Sequence, residues 1–237
     1  TSKTRIDLED VGYSNKITNK AILKILENAG ARQSETIHFG LNDMENVGFS
    51  WILLGWKVKI LKRPIYNEEL TINTWGRDSN RIFTYRDYEI YDESGELCAI
   101  ATSKWAIVDI NTGKLRELTP EIIEKYQCET KKVFEEDYTL KLKEPVTIIR
   151  KQEYKAQRRD IDINKHIHNL YYLDYAYEAL PEEVYEAPEC NNIEIMYKKQ
   201  IRLNDEFKCL YTKEENQNIV TMKSEDETTL HAIIKLY

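Results

Sequence analysis

Two stretches of the chain carry apolar residues at the spacing of an α-helix. The first begins near Thr18, a residue typical of helix N-caps, and its apolar face comprises Ile22, Ile25, Leu26 and Ala29. The second covers 170–180, where the positions i, i+3, i+4 and i+7 are occupied by Leu173, Ala176, Tyr177 and Leu180. Because apolar residues fill most other positions of this second stretch, we expect a helix buried on nearly all sides.

Segments with the composition and alternation of β-strands follow each predicted helix. They cover 70–76, 82–91 and 97–109 in the first half, and 206–213, 218–224 and 229–237 in the second. Asp92–Gly95 and Asn111–Gly113 have the residues of tight turns between strands. The chain is therefore predicted to form a helix followed by antiparallel strands, twice.

An internal repeat supports this duplication. Residues 58–70 align without gaps on residues 195–207, at an offset of 137, and their basic, apolar and Asn-acidic positions match in phase. Amphipathic strands share period-2 patterns in any β protein, so coincidence is the alternative explanation. The match of Asn67-Glu-Glu69 with Asn204-Asp-Glu206 argues against it.

The repeat predicts the architecture. We expect an α+β fold of two tandem hotdog domains (a double hotdog), in which each antiparallel sheet is wrapped around its own long helix. The N-terminal domain is expected to cover 1–145 and the C-terminal domain 146–237. Their dividing line is expected between Thr119-Pro120 and Pro145, with the charged stretch from Glu121 to Lys143 as connector.

Composition narrows the class of protein. Of the 237 residues, 41% are hydrophobic and 32% are charged, which is typical of a globular protein. The net charge of −7 argues against nucleic acid as a partner, since backbone phosphates require a basic face. No signal peptide is expected, no apolar run is long enough to cross a membrane, and the four cysteines are scattered. These observations predict a cytoplasmic protein with reduced thiols and no membrane contact.

Polar groups stand at the entrance of the predicted buried helix. The chain reads Asp160-Ile-Asp162-Ile-Asn164-Lys-His166-Ile-His168-Asn169 directly before it. One interpretation is structural: Asp162 or Asn164 caps the helix, because Asp and Asn are its natural N-caps. Another is chemical, since the unpaired N–H groups of a helix N-terminus can bind an oxyanion. A metal site is not predicted, because residues two apart on a helix face different ways and no other His or Cys cluster supports His166 and His168.

This string, Asp-x-Asp-x-Asn-x-His-x-x-Asn before an aromatic-rich helix, resembles the signature of the acyl-ACP thioesterase family of plants and bacteria. Landmarks of the first half resemble the same family in the same order: His38-Phe-Gly-Leu41, Trp51-Ile-Leu53, Pro64, Leu70–Trp75, Arg86, Gly95, Ala101–Trp105 and Asp109. The resemblance covers the chain from about residue 5 to its end. It implies a double hotdog that hydrolyses the thioester of fatty acyl-[acyl carrier protein] and releases free fatty acid.

The resemblance also implies where the chemistry lies. The first half reads Val11-Gly-Tyr-Ser-Asn-Lys-Ile-Thr18 before its helix and has no Asp-x-Asn-x-His counterpart, so catalysis is assigned to the second half and the acyl pocket to the first. His166 suits the role of general base near neutral pH, and Asn164 that of orienting the water or donating to the carbonyl oxygen. Asp162 either holds the imidazole in its working tautomer or is itself the base. No cofactor is expected, since the substrate carries the phosphopantetheine arm.

Two residues depart from the family pattern. Gln200 stands where the plant-like pattern has a catalytic-type Glu, and Gln can position a water but cannot exchange a proton. His168 stands where an Asn is usual, which is the milder departure. The predicted catalytic set is therefore Asp162, Asn164, His166 and Gln200.

The expected partner is acyl carrier protein, which is small and acidic and therefore requires a local basic patch. The candidate residues flank the catalytic segments: Arg150, Lys151, Arg158, Arg159, Lys198, Lys199 and Arg202. The alternative is that these charges only protect a strand edge. Two rival functions stay open, an acyl-CoA thioesterase and a non-catalytic acyl-binding or regulatory module. A homodimer is compatible with these residues, which do not fix the oligomeric state.

Overall fold

The computed structural model describes residues 1–77, 80–136, 141–185 and 190–237. The chain divides into two compact units, residues 1–138 and 139–237, which we call unit 1 and unit 2. The predicted connector falls partly on residues 137–140, which lie outside the described residues. The predicted domain division at 145/146 stays a prediction.

Unit 1 is an antiparallel sheet with a long helix. Its elements are β1 (Ser2–Arg5), α1 (Asn19–Thr36), α2 (Met44–Val47), β2 (Phe49–Ile60), β3 (Glu69–Gly76), β4 (Thr84–Tyr91), β5 (Leu97–Asp109), β6 (Leu115–Arg116) and α3 (Pro120–Tyr126). The strands run in the order β1-β3-β4-β5-β2, and β6 pairs with Ile107 and Val108 near the end of β5. The Ala21 N–H donates to Thr18 Oγ1 at 3.1 Å, which confirms the predicted N-cap of α1. The predicted apolar face is buried, and α1 packs against β3.

Unit 2 repeats this plan. Its elements are β7 (Arg150–Lys155), α4 (Asn169–Ala179), α5 (Glu182–Tyr185), β8 (Asn192–Tyr197), β9 (Glu206–Glu214), β10 (Gln217–Ser224) and β11 (Leu230–Leu236). The strands run in the order β7-β9-β10-β11-β8, the same as β1-β3-β4-β5-β2 with each strand replaced by its counterpart. Helix α4 packs against β7, β9 and β11, and Glu178 is its single exposed residue. Its buried residues are Tyr172, Leu173, Ala176 and Ala179 and the others except Glu178 are half-buried, so the helix is less completely buried than predicted.

The charged connector contains a helix that the sequence did not predict. Helix α3 begins with Thr119, whose Oγ1 accepts the Ile122 N–H at 3.4 Å, and has Pro120 in its first turn. Ile122 is buried in an apolar cluster with Phe39 and Phe49. This part of the predicted connector therefore belongs to the core of unit 1. Within the described ranges, no helix has the length and apolar character needed to cross a bilayer.

Candidate active site

The predicted catalytic string forms a loop ahead of α4, and the capping residue differs from the expectation. The N-cap is His168, whose Nδ1 accepts the Leu170 N–H at 3.3 Å. Asp162 and Asn164 do not cap the helix, because they lie within the loop 162–166, which a β-bridge between Ile161 and Ile167 closes before the helix begins. The interpretation of Asp162 or Asn164 as an N-cap is therefore wrong.

Asp162 instead shapes the loop itself. Its Oδ1 accepts the N–H groups of Asn164 at 2.8 Å and of His166 at 3.3 Å. The Asp162 N–H donates to the His166 carbonyl at 2.8 Å, and the Lys165 N–H donates to the Asp162 carbonyl at 3.0 Å. Such Asx turns are a common local use of an aspartate. The carboxylate thus fixes the backbone that carries Asn164 and His166.

Lys165 has an unusual backbone conformation within this loop. Its φ is +63°, in the left-handed region that a lysine seldom adopts. The two hydrogen bonds to Asp162 Oδ1 span this residue, one on each side. They help to offset the cost of the left-handed conformation.

His166 is half-buried, and its surroundings keep it neutral at neutral pH. Burial lowers the pKa of the imidazole, and the positive charge of Arg202 lowers it further. The carboxylates of Asp162 and Asp205 act in the opposite direction but do not reverse the shift. A neutral imidazole beside a carboxylate is suited to accept a proton from water. None of the hydrogen bonds among the described residues joins the Asp162 carboxylate to this ring, so their interaction is one of charge.

The turn between β8 and β9 brings Gln200 next to the loop. The Ile167 N–H donates to the Ile201 carbonyl at 2.8 Å, and His166 forms a β-bridge with Arg202. Gln200 is therefore adjacent to the segment that pairs with the loop, although 34 residues separate it from His166 in the sequence. Gln200 and Asn164 are both exposed, and neither carboxamide forms a hydrogen bond within the described part of the chain.

The helix N-terminus offers fewer free donors than predicted. The Leu170 N–H is bound by His168 Nδ1, and the Tyr171 N–H donates to the His168 carbonyl at 2.9 Å. The expectation that helix N–H groups stabilise the oxyanion is therefore wrong for these two groups. The carboxamide N–H groups of Asn164 and Gln200 are better placed to donate, because no hydrogen bond among the described residues occupies them.

The seven predicted partner-binding residues fall into two groups. Arg150 Nη1 donates to the Leu180 carbonyl at 2.9 Å, and Lys151 Nζ forms an ion pair with Glu227 at 2.8 Å. These two side chains hold β7 in place within unit 2. The other five lie around the loop and the β8–β9 turn and are exposed, as Lys151 also is: Arg158, Arg159, Lys198, Lys199 and Arg202. Of these, Arg159 Nε forms an ion pair with Asp160 Oδ1 at 3.7 Å.

Unit 1 contains the same loop without the candidate catalytic side chains. The Gly12 N–H donates to the Lys16 carbonyl at 3.0 Å, the bond that corresponds to Asp162 and His166 at an offset of 150. The Ile17 N–H donates to the Pro64 carbonyl at 2.9 Å, as Ile167 donates to Ile201. Gly12, Ser14 and Lys16 thus occupy the positions of the carboxylate, the carboxamide and the imidazole. This assigns the candidate chemistry to unit 2.

One supporting residue recurs in both units and was not predicted. Asp160 is buried, and its Oδ2 accepts the Gln157 N–H at 2.8 Å and the Tyr175 hydroxyl at 2.5 Å. Its counterpart Asp10 accepts the Asp7 N–H at 3.1 Å. The repetition of this Asp at an offset of 150 was the available signal. Across the described ranges, no three His, Cys, Asp or Glu side chains are grouped as ligands of one metal ion.

Comparisons with known proteins agree across both units. The acyl-ACP thioesterase N-terminal domain matches residues 1–126, and the acyl-ACP thioesterase C-terminal domain matches residues 143–235. Oleoyl-acyl carrier protein thioesterase 2, chloroplastic, of Arabidopsis thaliana is 25% identical over 228 residues, which are 90% of this chain and 62% of that protein. The Coriandrum sativum oleoyl-acyl carrier protein thioesterase, chloroplastic, is 25% identical over 234 residues, 90% of this chain and 62% of that protein. The chain therefore spans about three fifths of the length of these relatives.

Solved structures show the same fold. The crystal structure of an acyl-ACP thioesterase from Bacteroides thetaiotaomicron superposes with a TM-score of 0.86 at 22% identity, covering 99% of this chain and 95% of that one. The 12:0-ACP thioesterase from Umbellularia californica gives a TM-score of 0.84 at 17% identity, with the same two coverages. The predicted α+β double hotdog is confirmed. With both of its family domains matched in order along the sequence, the chain belongs to the acyl-ACP thioesterase family.

Proposed function

We propose that the protein hydrolyses the thioester of a fatty acyl group carried by acyl carrier protein and releases the free fatty acid. The observation that carries the proposal is the loop of unit 2, which combines a neutral His166, the charge of Asp162 and the unoccupied carboxamide of Asn164. The family and the printed names of its members support the same activity. The location proposed for the protein is the cytoplasm.

The mechanism follows from what each side chain can do. His166 accepts a proton from a water molecule, whose oxygen forms a bond to the thioester carbonyl carbon. The negative charge of Asp162 stabilises the imidazolium that results. The carboxamides of Asn164 and Gln200 donate hydrogen bonds to the carbonyl oxygen as it becomes an oxyanion. When the oxyanion collapses, the carbon–sulfur bond breaks, and the thiolate of the phosphopantetheine arm takes up the proton from His166.

This assignment gives Asp162 and Gln200 limited roles. The Asp162 Oδ1 already accepts two backbone N–H groups, so we assign the carboxylate to charge stabilisation and loop shape; Asp162 as the base is the alternative. Gln200 cannot exchange a proton and is assigned to hydrogen bonding alone. A thiolate is a good leaving group, so one titrating side chain is sufficient.

We propose that the acidic carrier protein docks on the five exposed basic residues, Arg158, Arg159, Lys198, Lys199 and Arg202. They flank the catalytic loop and the β8–β9 turn, so a carrier bound there would deliver its arm to His166. Because the protein has a net charge of −7, a local positive patch is needed to guide an acidic partner to this side.

A turnover assay on acyl-ACPs of varied chain length, with matched acyl-CoAs, tests the proposal. We expect His166→Ala and Asn164→Ala each to lower kcat by roughly 10²-fold or more, the usual scale for an acid–base or oxyanion group. Lys16→Ala and Ser14→Ala are matched controls, since they occupy the same loop positions in unit 1 and should retain activity. Wild-type turnover in both unit 2 variants would contradict the mechanism. Faster hydrolysis of acyl-CoA than of acyl-ACP would favour an acyl-CoA thioesterase.

A further inference from the structure

The β8–β9 turn that carries Gln200 is held by two buried side chains of unit 2. The Tyr172 hydroxyl accepts the Ile201 N–H at 3.2 Å. His231 Nδ1 lies 2.8 Å from the Lys199 carbonyl oxygen. Because a carbonyl can only accept, this Nδ1 carries the proton and donates. Lys199 and Ile201, the two neighbours of Gln200, are thus each fixed by a hydrogen bond between their backbone and a buried side chain.

A third side chain links the end of β8 to the start of α4. The Tyr197 hydroxyl donates to the Asn169 carbonyl at 3.2 Å. Its ring contacts the Tyr172 ring edge to face, with centroids 5.4 Å apart and planes at 85°. The strand before Gln200 and the helix after His166 are therefore joined by one aromatic pair.

Unit 1 lacks all three of these polar groups at the matching positions. At the offsets that relate the two units, the counterpart of Tyr172 is Ile22 and that of Tyr197 is Ile60. His231 corresponds to Cys98, because the Cys98 carbonyl accepts the Leu61 N–H at 2.7 Å as the His231 carbonyl accepts that of Lys198 at 2.8 Å. The counterpart of Ile201 is Pro64, which has no N–H to satisfy. The fold therefore forms without these hydrogen bonds.

Unit 1 braces the corresponding turn in a different way. Arg63 occupies the position of Gln200, and its guanidinium donates to the Ile17 carbonyl at 2.9 Å and to Asn19 Oδ1 at 2.7 Å. This side chain reaches over the turn to the loop and the start of α1. In unit 2, the residue at this position makes no such contact among the described residues, and the support comes from beneath.

We propose that Tyr172, Tyr197 and His231 are positioning residues, which hold the β8–β9 turn against the catalytic loop so that the Gln200 carboxamide faces the substrate. This inference rests on the proposed function. Buried hydroxyl and imidazole groups are costly unless they are hydrogen-bonded, and the apolar residues of unit 1 show that the fold does not require them. These three residues occur only in the unit that has the candidate catalytic side chains, because only there does the turn have to orient Gln200.

Tyr172→Phe tests the inference, because it removes one hydroxyl and keeps the ring. We expect kcat to fall about five- to tenfold with KM within about twofold, the scale of one positioning hydrogen bond. The Ile201 amide should exchange its hydrogen faster, since it has lost its acceptor. Tyr211→Phe is the matched control: this tyrosine is equally buried and its hydroxyl donates to Asn218 Oδ1 at 3.0 Å, away from the turn.

His231 provides a second variant with a conservative rescue. His231→Leu removes the donor to the Lys199 carbonyl and should lower kcat by a similar factor. His231→Asn places an N–H near the position of Nδ1 and should restore most of the loss. If His231 had only a structural role, His231→Asn would not recover kcat relative to a His231→Leu variant of equal free energy of unfolding.

The outcomes that overturn the inference are distinct from failure of the proposed function. If Tyr172→Phe leaves kcat unchanged, or if Tyr211→Phe lowers kcat as much, the positioning role is wrong. Unchanged exchange of the Ile201 amide in Tyr172→Phe would show that the hydroxyl does not hold the turn. If the wild type hydrolyses no acyl-ACP, the proposed function fails and the role toward the substrate fails with it, but exchange of the Ile201 amide still tests whether Tyr172 holds the turn. Unchanged exchange in Tyr172→Phe overturns this hold, and faster exchange supports the hold alone.

Discussion

Replacement of Asp162 by asparagine separates the charge of this side chain from its role in shaping the loop. The Oδ1 of asparagine can accept the N–H groups of Asn164 and His166, as Asp162 does at 2.8 and 3.3 Å. The negative charge that raises the pKa of His166 is lost. Asp162→Ala removes both the acceptor and the charge, and so supplies the comparison.

The structure sets the expected magnitudes. Two backbone hydrogen bonds of a half-exposed carboxylate contribute about 2–3 kcal/mol to the free energy of unfolding, which Asp162→Ala should lose. Asp162→Asn should lose only about 1 kcal/mol, the difference between charged and neutral acceptors. We expect kcat to fall about 10- to 100-fold in Asp162→Asn, because the imidazolium loses its nearest stabilising charge.

The assays are urea unfolding of both variants and steady-state hydrolysis of acyl-ACP as a function of pH. Asp162→Asn should move the acidic limb of kcat/KM to lower pH, since the pKa of His166 falls further without this carboxylate. Asp205→Asn is the control: it removes a second charge that raises the same pKa, from outside the loop, and should shift the limb in the same direction by less. Wild-type kcat in Asp162→Asn would refute the charge role. Equal destabilisation by asparagine and alanine would refute the loop argument.

Three further predictions concern the same site. Gln200→Glu should change kcat by no more than about threefold and add no new ionisation to the pH profile, because hydrogen bonding is the role assigned to this side chain; a clear gain in kcat with an acidic ionisation would reassign the base. Arg202→Gln should raise the pKa of His166 and move the acidic limb of kcat/KM to higher pH, and an unmoved limb would exclude this electrostatic coupling. Burial lowers the pKa of both His166 and His231 in the folded state, so the unfolded state binds more protons as the pH falls. The urea midpoint should therefore be constant above about pH 6.5 and decrease below it, whereas a flat profile between about pH 6.5 and 5 would contradict burial of these rings.

The sequence predicts most of the elements whose buried faces are apolar. Helices α1 and α4 and the six predicted strands are found within a few residues of their expected bounds, because their periodicity reflects burial. Strands β2 and β8 were not predicted although each has buried apolar positions, and the edge strands β1 and β7 were missed for the converse reason. Ser-Lys-Thr-Arg and Arg-Lys-Gln-Glu-Tyr-Lys alternate in burial but are almost wholly polar, so only pairing with β3 and β9 identifies them. Helix α3 was hidden by its charged surroundings, although Thr119-Pro120 is a typical helix start.

The site was predicted as a set of residues but not as an arrangement. The string around Asp162 and His166 identifies the loop, yet the sequence favours Asp or Asn as N-cap, where the structure has His168. The proximity of Gln200 to His166 depends on the pairing of Ile167 with Ile201, which no local pattern contains. Tyr172 and His231 were missed as supports of the turn because nothing in the sequence around them distinguishes them from ordinary buried residues.

The left-handed residue of each loop has a consequence for protein engineering. Unit 1 has Asn15 there, with a φ of +59°, and asparagine tolerates this conformation well; unit 2 has Lys165, with a φ of +63°. The loop of unit 1 forms the same backbone hydrogen bond although Gly12 replaces the aspartate. Its sequence therefore shows which residues the fold favours in a loop without catalytic side chains. Position 165 is therefore a natural site for thermostabilising substitutions copied from the chain's own duplicate, and the duplicate is a template into which a second catalytic set can be grafted. A Cβ atom at Gly12 would meet only Thr18 Cγ2 within 4 Å, at 3.7 Å, so the loop accepts the first side-chain atom of a grafted aspartate.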